Sequence, residues 1–541
     1  MATTKVLQIP EILGLVAESL ASLSYPTVLI DGKLKPVWAA LRPLVLVSRM
    51  WYQVVTPVLW RHIPSKAIWH RILARSHSNG TNGREMASIS RTKMISSDGS
   101  LTSAQTSDHA LDQDQKSFII DRSRYVRVVY HHATEDLLDE ALTIASLLTP
   151  ATLFPALKGI YYTASAQNRP NDDARIFPLF LAPTLLEIHL SAANKFLPDV
   201  THIVRCCPLL ENIHLRSGFP IDKDGLRALE AALCGAKNIS RISLALWPEA
   251  GVYMGDYMHS LLCRPSIETY ILSCPPCFAP PHLTHAAERI LALVDFPDAE
   301  NTTRLLLSLG DAPRPFEVLY LRLGRPFTDA LGMYHLQELC DVSAARTQRA
   351  TLTALHLECT DSLPGSLYPT AKLHINHLRP FSEHSHLVSV FVHVSSGTEI
   401  DDDAIAELAT WWPCLEELNI RGHRDTAKPC THRALMAMAL HCPKLQALTL
   451  PLELIGVPEL ENFYATGQAR CALRYLAAGR GRAPDPMAAA KFLVEIFPML
   501  EQVSFRAELT RGEYGSGKSV AETEWIEVAG VLATGAQWGA S

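Results

Sequence analysis

The segment "ALMAMALHCPKLQALTL", Ala434 to Leu450, decides the fold. Its first half is helical in character and Pro443 stops it, because proline cannot donate the next backbone bond. Leu445, Leu448 and Leu450 then follow at i, i+3 and i+5. Three other segments repeat that grammar: "DVTHIVRCCPLLENIHL" from Asp199, "AIAELATWWPCLEELNI" from Ala404 and "AAKFLVEIFPMLEQVSF" from Ala489.

The apolar triplet recurs along most of the chain. It runs from Leu157-Ile160-Tyr162 through Leu185-Ile188-Leu190, Leu210-Ile213-Leu215, Ile239-Ile242-Leu244 and Ile267-Tyr270-Leu272. After a wider gap it resumes at Phe316-Leu319-Leu321, Leu352-Leu355-Leu357, Leu387-Val390-Val392, Leu415-Leu418-Ile420 and Leu445-Leu448-Leu450. A weaker Leu473-Leu476 and a final Leu500-Val503-Phe505 close the series. Successive starts fall roughly 25 to 36 residues apart, the period of a leucine-rich repeat. One gap of about 49 residues after Ile267 has room for a degenerate unit. Each helix-strand unit hides its apolar face only against its neighbours, so the predicted class is α/β. The expectation is an irregular leucine-rich-repeat solenoid, with parallel strands on the concave face and helices on the convex one. Residues 118–510 carry it, opening with a strand near Tyr125 to Tyr130.

The 541 residues exceed a single domain core, and the 48% hydrophobic content is ample for burial. A net charge of -6 argues against gripping a nucleic acid backbone, so no nucleic acid partner is expected. The twelve cysteines are scattered without an even framework, which reads as reduced thiols in the cytoplasm or nucleus. The N-terminus lacks a signal-peptide pattern, and no apolar run is long enough for a membrane span.

Residues 1–74 read as about three short helices. In "QIPEILGLVAESLASL" the residues Ile9, Ile12, Leu13, Val16, Leu20 and Leu23 make one apolar stripe, with Pro10 suited to the first turn. "WAALRPLVLVSRMWYQVVTPVLWRHI" resumes helical character, broken near Pro43 and Pro57. So small a core leaves apolar residues for a partner, or for capping the following domain.

These residues resemble an F-box. The family's opening matches Ile9-Pro10-Glu11-Ile12-Leu13, its middle matches Val47-Ser48-Arg49-Met50-Trp51, and its end matches Leu59-Trp60. The departure is the long loop "SYPTVLIDGKLKP" between the first two helices. With the ragged repeats behind it, the chain is similar to fungal F-box proteins with leucine-rich repeats. The resemblance implies a non-enzymatic subunit of the Skp-cullin-F-box type, which docks on a Skp-type adaptor of a cullin-RING ubiquitin ligase and presents a protein target. The implied core and adaptor-facing set is Ile9, Pro10, Ile12, Leu13, Val16, Leu44, Val47, Trp51, Leu59 and Trp60. Another reading is a leucine-rich scaffold or binding protein without ligase association.

Residues 75–117 are Ser/Thr-rich without apolar periodicity and read as a disordered linker. Within the repeats, the residue between the last two apolar positions points to the opposite sheet face, because strand side chains alternate. His189, His214, Ser243, Ile271, Tyr320, His356, Phe391, Asn419 and Thr449 then form a ladder. Of these, His189, His214, Ser243, Tyr320, His356, Asn419 and Thr449 are the predicted target-binding surface, against a solvated face that touches nothing. Aromatics in or beside strands, Tyr162, Trp247, Tyr270 and Tyr320, are further candidates.

No cofactor, metal or catalytic residue is expected. Cys274, Cys277, His282 and His285 offer zinc-type ligands, but the spacing between the pairs is too short for a finger. His374, His377, His384, His386 and His393 fall at mixed spacings that suit surface or satisfied side chains. Asp401 to Asp403 sit where carboxylates cap a helix start. "GEYGSGKS", Gly512 to Ser519, satisfies the phosphate-loop pattern, yet only about twenty residues follow, too few for a nucleotide-binding domain. Residues 511–541 therefore read as a Gly-rich loop and a helix covering the open end of the repeats.

Overall fold

The computed structural model describes residues 62–64, 123–132, 154–163, 176–191, 200–249, 252, 254–273, 289–296, 299–323, 330–359, 372–394, 397–422, 429–460, 471–479, 481–505 and 520–535. The F-box-like residues Ile9 to Trp60, the linker 75–117, the Cys274–His285 cluster and the Gly512–Ser519 loop lie outside them. The chain divides into two compact units, Met1–Ser240 and Arg241–Ser541.

In the first unit five strands pair in parallel and in chain order: β1 (His62–Pro64), β2 (Val128–His132), β3 (Gly159–Thr163), β4 (Glu187–Ser191) and β5 (Asn212–Ile221). Helices α1 (Val200–Cys206) and α2 (Lys223–Gly235) pack on one another. The sheet starts earlier in the chain than the repeat pattern does. Residues 62–64, read from sequence as the end of the helical module, pair with Val128 to Tyr130.

Among the described residues the second unit carries ten parallel strands in chain order: β6 (Arg241–Pro248), β7 (Thr269–Ser273), β8 (Ile290–Phe296), β9 (Val318–Leu323), β10 (Ala354–Cys359), β12 (Ser389–Val394), β14 (Glu417–Gly422), β15 (Ala447–Leu450), β16 (Tyr475–Ala478) and β17 (Gln502–Phe505). Two short strands, β11 (Leu373–His374) and β13 (Thr398–Glu399), pair separately. Its helices are α3 (Met254–Tyr257), α4 (His259–Leu262), α5 (Ala299–Leu307), α6 (Ala330–Arg346), α7 (Ile375–Leu378), α8 (Asp402–Trp411), α9 (His432–His441), α10 (Pro486–Ile496) and α11 (Val520–Gly535). Strand β8 and helix α5 fill the long gap in the triplet series. No helix among the described residues is long and apolar enough to cross a membrane.

The prolines do more than stop helices. The N–H groups of Leu157, Leu185, Leu210, Leu415, Leu445 and Leu500 donate to the carbonyls of Phe154, Ala182, Cys207, Trp412, Cys442 and Phe497, at 3.0–3.2 Å. Each is a four-residue turn with proline second, where the locked φ suits the geometry. The two amides after each turn then fork onto one carbonyl of the preceding repeat. Leu186 and Glu187 share Lys158 O at 2.8 and 2.9 Å; Gln446 and Ala447 share Glu416 O at 2.7 and 3.0 Å. Register passes in this way from repeat to repeat.

Leu185, Ile188 and Leu190 are at most 2% exposed, as are Leu445, Leu448 and Leu450. Burying each such side chain contributes about 1.5–3 kcal/mol. The first position of the turn is buried as well, and its residue is usually apolar: Cys207, Trp412, Cys442 and Phe497 all occupy it. His384 is a polar exception, 1% exposed, with its carbonyl accepting from Leu387 N at 3.1 Å.

Burial holds the His384 imidazole below its ordinary pKa. The folded state therefore binds fewer protons than the unfolded one at mildly acid pH. Its contribution is complete above about pH 6.5 and is lost as pH falls below that value. His384→Phe, the residue type of the equivalent Phe154 and Phe497, is expected to flatten the decline in urea midpoint between about pH 7 and pH 5. A slope identical to wild type would exclude His384 as a source of acid lability.

Asp401 caps α8 as expected, accepting from Ala404 N at 3.1 Å. Asp402 reaches the next helix, accepting from Thr431 N at 2.7 Å and Thr431 Oγ1 at 2.6 Å. Helix α11 packs on α10 and β17. Trp525 is 1% exposed and its Nε1 donates to Gly481 O at 2.8 Å. Glu524 accepts from Arg482 Nε at 2.9 Å and from Ala483 N at 2.8 Å.

Candidate functional site

Parallel pairing in register places equivalent residues of adjacent strands side by side, about 4.8 Å apart. On the sheet face opposite the triplets of the first unit, this aligns Tyr130, Tyr161, His189 and His214. Their rings stack in series. Tyr130 lies 4.8 Å from Tyr161, Tyr161 4.0 Å from His189, and His189 3.8 Å from His214, with interplanar angles of 21°, 15° and 7°. Glu187, two residues before His189, shares this face. Its Oε1 accepts from His189 Nε2 at 2.6 Å and from Tyr161 Oη at 3.5 Å. Burial raises the Glu187 carboxyl pKa, but the His189 hydrogen bond and the nearby His189 and His214 rings override that and leave it below its ordinary value.

The second unit continues the pattern with different chemistry. Ser243, Ile271, Ala292, Tyr320, His356, Phe391, Asn419 and Thr449 are register neighbours. Around β8 the face is covered: Ile271, Ile290, Ala292, Val294 and Tyr320 form a buried cluster. Further along, a polar and aromatic patch is half-buried. His356 lies between Tyr320 at 5.5 Å and Phe391 at 5.6 Å. The Arg421 guanidinium sits 5.4 Å above the Phe391 ring and donates from Nε to Asn419 Oδ1 at 2.8 Å.

Glu358 anchors this patch. It accepts from Tyr320 Oη at 2.8 Å, with Arg322 Nε at 3.7 Å and His393 Nδ1 at 3.8 Å. Burial again pushes its carboxyl upward, and the nearby His393 ring, the Tyr320 hydrogen bond and the Arg322 charge hold it below the ordinary value. A face that combines half-buried rings, a guanidinium and imidazoles can grip acidic and planar groups of a protein chain.

The ladder residues thus share one face of the sheet in each unit, but their exposure differs. His189, His214, Ser243, His356 and Thr449 are half-buried, whereas Tyr320 and Asn419 are 3% and 7% exposed and are held in hydrogen bonds. Tyr162 and Tyr270 are not surface aromatics. Both take triplet positions, are at most 1% exposed, and Tyr270 Oη donates to Leu262 O at 2.9 Å. Trp247 stands out at 49% exposed. His374 and His377 close a capping box at the start of α7, and His393 faces Glu358.

Sequence reasoning missed Tyr130, Tyr161, Glu187, Arg322, Glu358 and Arg421. The parity that selected the ladder also places residues two before and two after each rung on the same face, which could have found Glu187, Arg322, Glu358 and Arg421; Tyr161 is itself the rung of the first triplet, and Tyr130 belongs to the strand ahead of it.

No family model matches this chain, and no curated protein matches it. Among solved structures it is similar to the leucine-rich repeat-containing protein LegL7 from Legionella pneumophila, at 10% identity over 56% of this chain and 87% of that one, with a TM-score of 0.31. It is also similar to a chain of the Rad7 and Elc1 complex in yeast, at 14% identity over 73% of this chain and 89% of that one, with a TM-score of 0.37.

Proposed function

We propose that this chain recruits a protein target to a Skp-cullin-F-box type ubiquitin ligase, in the cytoplasm or nucleus, without catalytic residues of its own. The ordered motif Ile9-Pro10-Glu11-Ile12-Leu13, Val47-Ser48-Arg49-Met50-Trp51 and Leu59-Trp60 is the observation that carries the ligase half. It precedes a repeat sheet whose polar and aromatic face is built to hold a protein rather than a small molecule. The target half belongs to the patch around His356, Phe391, His393 and Arg421. Its half-buried aromatic and guanidinium groups are the side-chain types that dominate interface energetics.

Co-expression of the full chain with a Skp-type adaptor tests the ligase half. Wild type is expected to retain the adaptor through purification, and the Trp51→Ala, Trp60→Ala double variant to retain at least about 10-fold less. Equal retention, or none by wild type, removes the ligase reading. A leucine-rich binding scaffold then remains, favoured by the same sheet face. Proximity labelling with Phe391→Ala and Arg421→Ala separates the halves: captured targets are expected to fall about 10-fold while adaptor capture is unchanged.

A further inference from the structure

We propose that Glu187, His189 and His214 form a binding site for one divalent transition-metal ion, with zinc the best chemical match. The proposal is independent of the ligase reading. Among the described residues these three form the one group of side chains placed to share an ion, and their ligand atoms lie within 4.8 Å of one another. Two imidazoles with one carboxylate are a borderline-soft, mixed nitrogen and oxygen set, which suits zinc over magnesium or calcium.

The scaffold supplies the convergence. Glu187 and His189 lie two residues apart on one face of β4, and His214 is the register neighbour of His189 on β5. Tetrahedral zinc at about 2.0–2.1 Å from each ligand puts ligand atoms roughly 3.3 Å apart. Closing from within 4.8 Å to that spacing calls for side-chain rotation. One imidazole must swing out of the 3.8 Å stack, since one ion cannot lie in the plane of both parallel rings. The ion then replaces the 2.6 Å contact between His189 Nε2 and Glu187 Oε1. Three protein ligands leave a fourth tetrahedral position for water.

Tyr161 is a positioning residue here. Its ring stacks on His189 at 4.0 Å and its hydroxyl donates toward Glu187 at 3.5 Å, orienting two ligands at once. Such outer contacts alter metal affinity by about 10-fold to 100-fold, and a long one belongs at the low end.

The test uses the full chain, stripped with a chelator and titrated with cobalt(II) as a spectroscopic stand-in for zinc. One equivalent is expected to give a tetrahedral visible spectrum that zinc abolishes. His189→Gln and His214→Gln are each expected to weaken binding at least about 100-fold, and Tyr161→Phe about 10-fold or less. A stripped wild type that takes up no cobalt, or a His214→Gln protein with the wild-type spectrum and affinity, overturns the site. A measurement on unmutated protein guards against misfolded variants: carbethoxylation of His189 and His214, mapped by mass spectrometry with and without zinc. Selective protection of both supports the site, and equal modification with and without zinc overturns it.

Discussion

Trp412→Ala is expected to lower the stability of the second unit by about 4 kcal/mol, within the range for emptying a buried aromatic site. The indole is 0% exposed at the first position of its turn, and Nε1 donates to Phe381 O at 3.1 Å in the preceding repeat. Its carbonyl accepts from Leu415 N at 3.1 Å and from Cys442 Sγ at 3.7 Å, so the residue joins three successive repeats. Alanine leaves a cavity and removes one of the two donors to the Phe381 carbonyl, which keeps His384 N at 3.0 Å. Trp412→Phe separates these effects, since it fills most of the volume and loses only the indole hydrogen bond, at about 0.5–1.5 kcal/mol. Denaturant unfolding followed by circular dichroism reads both. Because repeats are coupled only to their neighbours, the alanine variant is also expected to split the transition into two steps. An alanine midpoint indistinguishable from wild type would mean the indole is not packed as described.

Gly481→Ala carries the second large effect, on the order of 3 kcal/mol, the upper end of overpacking. A Cβ on Gly481 would overlap Leu452 O and Leu452 C and lie 2.8 Å from Glu453 N. All three are backbone atoms, so no side chain can rotate away. The same stretch holds the last helix, through Gly481 O with Trp525 and Arg482 with Glu524. Displacing it is expected to raise hydrogen exchange across residues 520–535 as well as lowering the midpoint. Gly530→Ala is the control. Nothing lies within 4 Å of a Cβ there, and removing a glycine from a helix interior is expected to stabilise by about 0.5–1 kcal/mol. If the two glycines behave alike, the close approach at Leu452 is wrong.

The repeat sheet was legible because its signal is local and repeated. An apolar residue at i, i+3 and i+5 describes one turn followed by one strand, and Leu157, Ile160 and Tyr162 are all buried as that spacing requires. Strand β8 escaped because "ILALVDF" is apolar on both faces. Ile290, Ala292 and Val294 are buried on the face that elsewhere carries the ladder, so the alternation that marks its neighbours is absent. Tyr162 and Tyr270 were misread as surface aromatics because residue type was weighed over parity. Tyr161, one position earlier, is the outward ring.

The candidate site was legible as a row and illegible as chemistry. Parity places His189 and His214 on one face, and nothing in their spacing says that β4 and β5 pair, which is what brings their rings to 3.8 Å. Glu358, on β10, likewise gains its partners from the two flanking strands: Tyr320 and Arg322 on β9, and His393 on β12.

By itself the sequence determined the repeat, its parallel α/β class, the inward triplets and the prolines that sit second in six of the turns, since these follow from contacts within a few residues. Tertiary structure decided which rungs are open and which are covered, that residues 62–64 join the first sheet, that Asp402 serves the next helix, and which carboxylates sit against histidine. Those depend on register between strands and on what packs over them, and both are set by residues tens of positions apart.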